Sequence, residues 1–354
     1  MDLILTAGFL GAGKTTAIVN AVAYLQDQGI RAAAICNDQG GLLVDTAYLR
    51  AQGIRTEEVS GGCFCCRFNE LETLLKSLDA ANWQGFVFAE SVGSCTDLVA
   101  TVIRPLQNLH PEIKVSLSVF ADAGLLYSRL QSRNLGFNNH VQYLYEKQLE
   151  EADILVVSKI DLIDTAKLEQ LKRLLKHRYP STQIIYQNSF SRDDIAAWLQ
   201  ATGSIKNTVR STLDIDYDEY AAGEAAMAWL DSSLEIVSSD ARKACLLLSE
   251  TFLQEIDNKE WSIGHVKFIF NINEQVFKLS ATASGRDAFP SGEGWADNKI
   301  CVLINARVCC HPDEIRHALE ASIREMDLSK ETDISIRSMS SFKPGYPKPS
   351  FRIE

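Results

Sequence analysis

Residues 8–16 constrain the fold of this chain more than any other stretch. They read GFLGAGKTT and fit the pattern G-x-x-x-x-G-K-[ST]. An apolar run at residues 3–7 precedes them, and a helical pattern at residues 17–28 follows. A strand, a glycine-rich loop and a helix in this order can bind phosphate, because backbone N–H groups and the positive end of the helix converge on one anion. The stretch therefore predicts a P-loop within an α/β fold.

The side chains of this loop predict how a nucleotide would be held. Lys14 would reach the terminal phosphates, and the Thr15 hydroxyl would take one place on Mg²⁺. Both residues are predicted to act in catalysis, because with Mg²⁺ they would neutralise the charge that develops on the phosphate. The predicted nucleotide contacts in this stretch are Gly8, Gly11, Ala12, Gly13, Lys14, Thr15 and Thr16.

Composition limits the classes of partner. The chain has 354 residues, 46% of them hydrophobic and 23% charged, which is typical of a globular protein with two domains. Its formal net charge of −11 argues against a nucleic-acid or anionic-membrane partner. No apolar run is long enough to span a bilayer, and the apolar start lacks a basic segment before it. We therefore expect a cytoplasmic protein whose nine cysteines serve metal or redox chemistry.

Polar residues follow two further predicted strands. Asp38 follows the strand at residues 31–36, and Glu90 follows the strand at residues 86–89. Loops after parallel strands gather beside the bound nucleotide. Glu90 would hold Mg²⁺ through water, and Gly93 would offer its N–H to the γ-phosphate. Asp38 is placed to approach Mg²⁺ or a second metal, although a turn or helix-cap role is the common alternative.

Three cysteines are crowded into four positions. Residues 60–67 read SGGCFCCR and contain Cys63, Cys65 and Cys66. If these cysteines served only as small hydrophobic residues of the core, they would not need to be so close in sequence. Three thiolates at this spacing suit Zn²⁺, Cu⁺ or another thiophilic metal. They leave a fourth position for a ligand from elsewhere or an open site. Cys95 is equally compatible with a buried thiol and with a ligand role.

A third motif follows the apolar strand at residues 154–157. Ser158, Lys159 and Asp161 resemble the Asn-Lys-x-Asp motif with which GTPases recognise guanine. By that resemblance Asp161 accepts the two guanine N–H donors, and Lys159 lies over the base and braces the P-loop. Ser158 stands where the motif has Asn and can make fewer hydrogen bonds, so the strength of the guanine preference is left open. Residues 187–189 are predicted to close on the base.

Residues 1–200 together resemble the CobW-type family of P-loop GTPases, relatives of the urease and hydrogenase accessory GTPases. The P-loop, the Asn-Asp-x-Gly stretch at 37–40, the GGCFCC stretch at 61–66, Glu90-x-x-Gly93 and Ser158-Lys159-x-Asp161 occur in the order of the family. The resemblance implies a GTP-hydrolysing metallochaperone or metallocofactor-insertion factor that serves a client metalloprotein. It also implies a metal, Zn²⁺ or a similar ion, among Cys63, Cys65, Cys66 and Asp38.

The rest of the chain predicts a smaller α+β domain. The order β-α-β-β-β-α-β approximates a ferredoxin-like layer with one extra strand. We expect an α/β P-loop domain with a mainly parallel sheet at 1–205, a ferredoxin-like domain at 206–340 and an extended tail at 341–354. His265 is predicted to be a strand residue, and Cys309, Cys310 and His311 are predicted to pack without forming a metal site.

Several points are left open by the sequence. It identifies no residue that positions the attacking water, so slow unassisted hydrolysis is expected. The metal, the client and the oligomeric state, including a homodimer, are not determined. Two alternatives remain: a nucleotide-dependent activator of a corrinoid or other cofactor protein, and a thiol-based redox or metal sensor with little turnover.

Overall fold

Two β-sheets of different kinds build the molecule. The computed structural model describes residues 1–41, 44–80, 83–131, 136–205, 211–273, 275–291, 295, 298–327 and 332–354. Its first sheet has seven strands that all run parallel, and its second sheet is entirely antiparallel. The predicted fold class, an α/β P-loop domain followed by a smaller α+β domain, is confirmed.

The first sheet has the strand order β3-β2-β4-β1-β5-β6-β7. Helices cover both of its faces, which is why its central strands are apolar along their whole length. The strands are β1 (Asp2–Gly8), β2 (Ala32–Asp38), β3 (Thr56–Ser60), β4 (Phe86–Glu90), β5 (Lys114–Asp122), β6 (Ile154–Ser158) and β7 (Gln183–Gln187). The helices are α1 (Lys14–Gln26), α2 (Val44–Ala51), α3 (Phe68–Ala80), α4 (Arg104–Leu109), α5 (Ala123–Leu130), α6 (Asn139–Glu150), α7 (Thr165–Arg178) and α8 (Arg192–Ser204).

Strand β3 was not predicted from the sequence. It lies at the edge of the sheet, and its five residues include Glu57 and Glu58. An edge strand is covered less than a central one, so it carries no continuous apolar run. This strand matters for function because the cysteine-rich loop begins directly after it.

The second sheet has the order β11-β10-β9-β12-β8-β13. Strands β9, β12, β8 and β13 with their two helices form a ferredoxin-like layer, and β10 and β11 extend it at one edge. Its elements are β8 (Ala228–Ser238), α10 (Ala241–Asn258), β9 (Ile263–Ile272), β10 (Gln275–Thr282), β11 (Gly285–Arg286), β12 (Lys299–Val308), α11 (Pro312–Asp327) and β13 (Thr332–Phe342).

Charged side chains join the two sheets. The Arg307 guanidinium is 1% exposed and lies 3.0 Å from Asp38 of β2 and 2.9 Å from Asp231 of β8. Lys267 of β9 pairs with Asp45 of α2 at 2.6 Å. Helix α9 (Tyr217–Ala225) packs against α6 of the first sheet. The second sheet is therefore held against the edge of the first sheet where nucleotide was predicted to bind.

The chain between the two sheets bears on the predicted domain boundaries. Helix α8 ends at Ser204, and residues 206–210 of the predicted junction lie outside the described residues. Strand β13 ends at Phe342, and residues 343–354 form no helix or strand. The boundaries after residues 205 and 340 remain predictions. Among the described helices, none is both long and apolar enough to cross a membrane.

Candidate nucleotide and metal sites

The P-loop forms one wall of a cleft of about 640 Å³ between the two sheets. Gly8 ends β1 where a Cβ atom would lie 2.1 Å from the Phe120 carbonyl oxygen, so only glycine fits there. Gly13 has φ 85° and leads directly into α1. The loop thus presents its N–H groups at the start of a helix, as phosphate binding requires.

Lys14 and Thr15 both line the cleft. The Lys14 ammonium group is buried and donates to the Gly8 carbonyl at 2.8 Å, on the loop itself. Burial lowers the pKa of Lys14, and Glu90 partly opposes that shift. The Thr15 hydroxyl lies 2.9 Å from Glu90 Oε1 and 3.0 Å from Asp45 Oδ1. Two carboxylates therefore converge on the residue that was predicted to bind Mg²⁺.

This oxygen cluster has the chemistry of a magnesium site. Burial raises the pKa of Glu90, and the nearby Asp45 carboxylate raises it further. Glu90 Oε2 is buried and lacks a hydrogen-bond partner among the described residues. A hydroxyl and carboxylate oxygens are the donors that Mg²⁺ prefers, and a cation would satisfy the unpaired oxygen. Thr15, Glu90 and Asp45 therefore fit Mg²⁺.

The predicted guanine motif borders the same cleft. Ser158 Oγ donates to the Ala12 carbonyl at 2.7 Å, so it braces the P-loop. Lys159 has φ 57° and its ammonium group lies 2.9 Å from Asp122. Asp161 follows in a single helical turn at the mouth of the cleft. Phe190, 75% exposed, lies in the facing loop and offers a flat apolar surface to a base.

The structure also places residues that the sequence analysis missed. Asp45 lies in the first turn of α2, and Lys267 enters the cleft from the second sheet. Although burial alone would raise the pKa of Asp45, the ammonium groups of Lys267 and Lys278 hold it well below its usual range. In the sequence, the GHVK stretch at residues 264–267 belongs to a predicted strand of the second domain, and nothing in it indicates that Lys267 reaches the cleft. His265 of that stretch is buried and bonded to Asn305 at 2.6 Å, as a strand residue.

The three cysteines meet as predicted. The Sγ–Sγ distances are 2.6 Å for Cys63–Cys65, 3.3 Å for Cys63–Cys66 and 3.8 Å for Cys65–Cys66. Hydrogen bonds from Cys65, Cys66 and Cys95 lower the pKa of Cys63 well below its ordinary value, which favours a thiolate there. Cys63 and Cys65 are buried, whereas Cys66 is partly exposed. The thiols are close enough together to hold one thiophilic ion.

Asn37 connects the cysteine loop to the strand beside the nucleotide cleft. Its amide nitrogen donates to the Gly62 carbonyl at 2.7 Å and to the Val59 carbonyl at 2.9 Å. Its oxygen accepts from the Phe64 N–H at 2.8 Å. Asn37 also borders the cleft, next to Asp38. A movement at the end of β2 would therefore move the cysteine loop.

Asp38 faces the second sheet. Its carboxylate binds Arg307, and the described residues give it no contact with the three thiols. Its predicted role as a ligand of the thiophilic metal remains a prediction. Gly93 lines the cleft as expected, and Cys95 contacts the cysteine cluster. Cys309 and Cys310 carry free thiols outside that cluster.

The end of the chain covers the cysteines. The Lys348 N–H donates to Cys66 Sγ at 3.3 Å, and the Ser350 N–H donates to the Cys65 carbonyl at 2.8 Å. Phe351 meets Phe68 edge to face with ring centroids 5.1 Å apart. This segment lies directly on the outer side of the thiols.

The fold and the cleft define a P-loop nucleotide-binding protein with a thiol cluster in the loop after β3. Residues 2–186 match the family model for the nucleotide-binding domain of CobW/HypB/UreG proteins, which is more than half of the chain. The chain belongs to this family.

Curated relatives carry the name zinc chaperone. "Zinc chaperone CobW" of Sinorhizobium sp is 32% identical over 188 residues, which cover 47% of this chain and 52% of that protein. "Zinc chaperone YeiR" of Escherichia coli K12 is 27% identical over 187 residues, 51% of this chain and 53% of that protein. The chain spans about half the length of the curated relatives it matches.

Solved structures give more distant similarities. The alignment with HypB from Helicobacter pylori in complex with nickel covers 59% of this chain and 90% of the HypB chain, at 15% identity and a TM-score of 0.44. The alignment with a zinc-bound triple mutant of the YjiA GTPase covers 91% of this chain and 98% of the YjiA chain, at 16% identity and a TM-score of 0.40.

Proposed function

We propose that this protein is a GTP-hydrolysing metallochaperone that couples its nucleotide state to a metal held by Cys63, Cys65 and Cys66. The cargo is Zn²⁺ or another thiophilic divalent ion, and it passes to a client metalloprotein in the cytoplasm. The names of the curated relatives support zinc as the first ion to test. All nine cysteines carry free thiols, which suits a reducing compartment.

The Asn37 side chain is the observation that carries the proposal. It begins at a strand end that borders the nucleotide cleft, and it makes three hydrogen bonds to the cysteine loop and the strand before it. Loops around γ-phosphate and Mg²⁺ order when GTP is bound and relax on hydrolysis. A change at the cleft therefore reaches the thiols through one buried side chain.

Hydrolysis would use the groups gathered on the P-loop. Lys14 would bind the terminal phosphates in place of the loop carbonyls, and Thr15 and Glu90 would hold Mg²⁺. Mg²⁺ supplies positive charge to the phosphoryl group. Asp161 and Lys159 bind the base and select guanine. No described residue is assigned to position the water, so unassisted turnover is expected at roughly 10⁻⁴ to 10⁻² s⁻¹.

A zinc titration in different nucleotide states tests this function. The reduced protein is titrated against a competing chelator with GDP, with a non-hydrolysable GTP analogue and without nucleotide. Coupling of about 1–3 kcal/mol would appear as a roughly 5–150-fold difference in zinc affinity between states. By reciprocity, zinc should change the affinity for the GTP analogue by the same factor.

Two double variants serve as a matched pair. Cys65→Ser with Cys66→Ser should remove the high-affinity zinc site and leave nucleotide binding intact. Cys309→Ser with Cys310→Ser changes the other adjacent cysteine pair and should leave both affinities unchanged. Equal zinc affinities in all three nucleotide states would show that the two sites are independent, and the coupled mechanism would be withdrawn. Size-exclusion chromatography in each state tests the homodimer.

A further inference from the structure

A fourth cysteine lies against the three-cysteine cluster. The Cys95 side chain packs in the same buried core as Cys63 and Cys65, and its thiol interacts with both of their thiols. Cys95 is fully buried, as Cys63 and Cys65 are, whereas Cys66 is partly exposed. It belongs to a different loop from the other three, since it follows β4 and they follow β3.

The backbone around Cys95 is fixed at both ends. Its N–H donates to the Val92 carbonyl at 3.0 Å, and its carbonyl accepts from the Gln148 side chain at 2.9 Å. The same Gln148 nitrogen binds the Gly93 carbonyl at 3.0 Å. The backbone that carries the thiol is therefore held in place by hydrogen bonds on both sides.

The three sulfur atoms of the cluster have separations near those of a tetrahedral sulfur site. Zinc–sulfur bonds of about 2.3 Å in a tetrahedron place sulfur atoms about 3.8 Å apart. Cys65 and Cys66 already have that separation, at 3.8 Å, while Cys63 and Cys65 lie closer, at 2.6 Å. Gly61 and Gly62 precede the cluster with φ values of 71° and 159°, so the backbone there can adjust as an ion separates the thiols.

We propose that Cys95 is the fourth sulfur ligand of this metal site and that it places one ligand on the loop that senses the nucleotide. This inference rests on the proposed function of the cysteine cluster. The loop that carries Cys95 begins at Glu90, which binds the Thr15 hydroxyl, and includes Gly93, which lines the cleft. A thiol that served packing alone would not need to meet two other sulfurs.

The arrangement gives metal release a definite chemical step. With Cys95 bound, the ion has four thiolates and is closed, as in sites that hold zinc permanently. When the loop after β4 shifts, the bond between the metal and the Cys95 sulfur breaks and a client ligand forms a bond in its place. The Cys95 thiolate then takes up a proton, and the client ligand gives one up. No oxidation or reduction is involved.

The test counts sulfur ligands in the full-length, reduced protein. X-ray absorption of the zinc-loaded wild type should show four sulfur neighbours. Cobalt(II) serves as the optical probe, because its sulfur charge-transfer band grows with the number of thiolates bound. Cys95→Ser should lower that band by about a quarter, one thiolate of four. It should weaken zinc binding by more than about 100-fold, beyond the effect of residues that only support a ligand.

Cys245→Ser is the matched control, since that thiol is equally buried but lies in α10 of the second sheet. It should leave the cobalt band and the zinc affinity unchanged. If Cys95→Ser does not fold, the sulfur count of the wild type decides alone. Three sulfur neighbours in zinc-loaded wild type, or an unchanged cobalt band in a folded Cys95→Ser, would overturn the inference.

The outcomes of these experiments distinguish the role of Cys95 as a ligand from the proposed metallochaperone function. Loss of metal in the Cys65→Ser, Cys66→Ser variant with no effect of Cys95→Ser would overturn Cys95 as a ligand and leave the metallochaperone standing. A wild type that binds neither zinc nor cobalt would overturn the proposed function itself. Four sulfurs with equal zinc affinity in GDP and the GTP analogue would support Cys95 as a ligand and overturn the nucleotide coupling.

Discussion

The nucleotide cleft and the cysteine region each bury a carboxyl group, Asp45 and Glu224, whose pKa values shift in opposite directions. In the cleft, Asp45 lies beside Lys267, and the ammonium groups nearby keep its pKa low although it is buried. Around the cysteines, Glu224 has neutral partners, Ser94 at 2.5 Å and Gln39 at 2.8 Å. Burial raises the pKa of Glu224 to about 8.

The different charges around Asp45 and Glu224 indicate which kind of ligand each region can bind. The cleft holds fixed charges of both signs, which suits a polyanion that arrives with a divalent cation. The cysteine region contains two glutamates, Glu151 and Glu224, whose pKa values burial raises to about 8. The two sites therefore respond to different changes, and substitutions should separate them.

The largest effect is expected from Lys14→Ala. Removing a buried cation from the terminal phosphates should weaken nucleotide binding by at least roughly 100-fold, about 3 kcal/mol. Zinc binding by Cys63, Cys65 and Cys66 without nucleotide should be nearly unchanged, because the hydrogen bonds of the Lys14 side chain go to the Gly8 and Phe9 carbonyls of the P-loop. Nucleotide and zinc titrations of the same sample measure both, with Lys172→Ala on α7 as the control. Nucleotide affinity within a few-fold of wild type would contradict the P-loop assignment.

The next effect is expected from Asp161→Asn. Its carboxylate is predicted to accept two guanine N–H groups, and hydrogen bonds to charged groups contribute about 1.5–3 kcal/mol each. GTP affinity should fall by roughly 10–100-fold, while ATP affinity should stay the same. Competition between the two nucleotides measures the ratio. If wild type already binds ATP as tightly as GTP, Ser158 has removed the guanine preference.

The third prediction concerns pH and the cysteine region. Burial raises the pKa of Glu151 to about 8 from 4.5, and its carboxyl lies beside Thr96, next to Cys95. Between these pH values the folded protein keeps a proton that the unfolded chain releases, so stability falls as pH rises, by about 1.4 kcal/mol per pH unit. Above pH 8 this loss levels off.

Glu151→Gln should remove that contribution and leave the similar one of Glu224. Its free energy of unfolding, measured in denaturant from pH 5 to pH 9, should therefore fall less steeply than that of wild type. The exposed Glu250→Gln is the control and should follow the wild-type curve. Parallel curves for Glu151→Gln and wild type would mean that Glu151 is ionised in the folded protein.

The smallest effect is expected from Asn37→Ala, which removes the bridge between the two regions. Each site should keep its ligand, but the nucleotide dependence of zinc affinity should fall below about 2-fold, from the 5–150-fold expected of typical coupling. The zinc titrations described above measure this ratio. Asn258→Ala at the end of α10 is the control. If the zinc affinity of Asn37→Ala depends on nucleotide as strongly as that of wild type, another contact carries the coupling. The loop that contains Cys95 would be tested first.

The sequence predicted the nucleotide site better than its surroundings. Residues 8–16 form a contiguous motif whose geometry is local, so Lys14 and Thr15 could be placed without knowing the rest of the fold. Lys267 could not, because it reaches the cleft from a strand more than 200 residues away in sequence. Asp38 was expected near the thiols, but its position depends on Arg307, a partner 269 residues further along.

The contrast between local and long-range contacts also explains which features of the cysteine region could be predicted. Cys63, Cys65 and Cys66 lie within four positions, so their convergence could be read from spacing. The sequence could not decide whether Cys95 only packs or also binds metal. The conformation of its loop depends on a hydrogen bond from Gln148, which lies in another part of the chain. The extended tail was predicted, yet its contact with Cys66 was not, since nothing in its composition indicates where it lies.

That contact has a consequence for the newly made protein. Lys348 meets Cys66 across 282 residues of chain. Ribosomes add about 5–20 residues per second, so the covering segment is made roughly 15–55 s after the cysteines. During that interval the thiols are open to whichever metal or oxidant is present in the cell. In the proposed metallochaperone, the first ion that Cys66 meets would therefore depend on the metal pool around the ribosome.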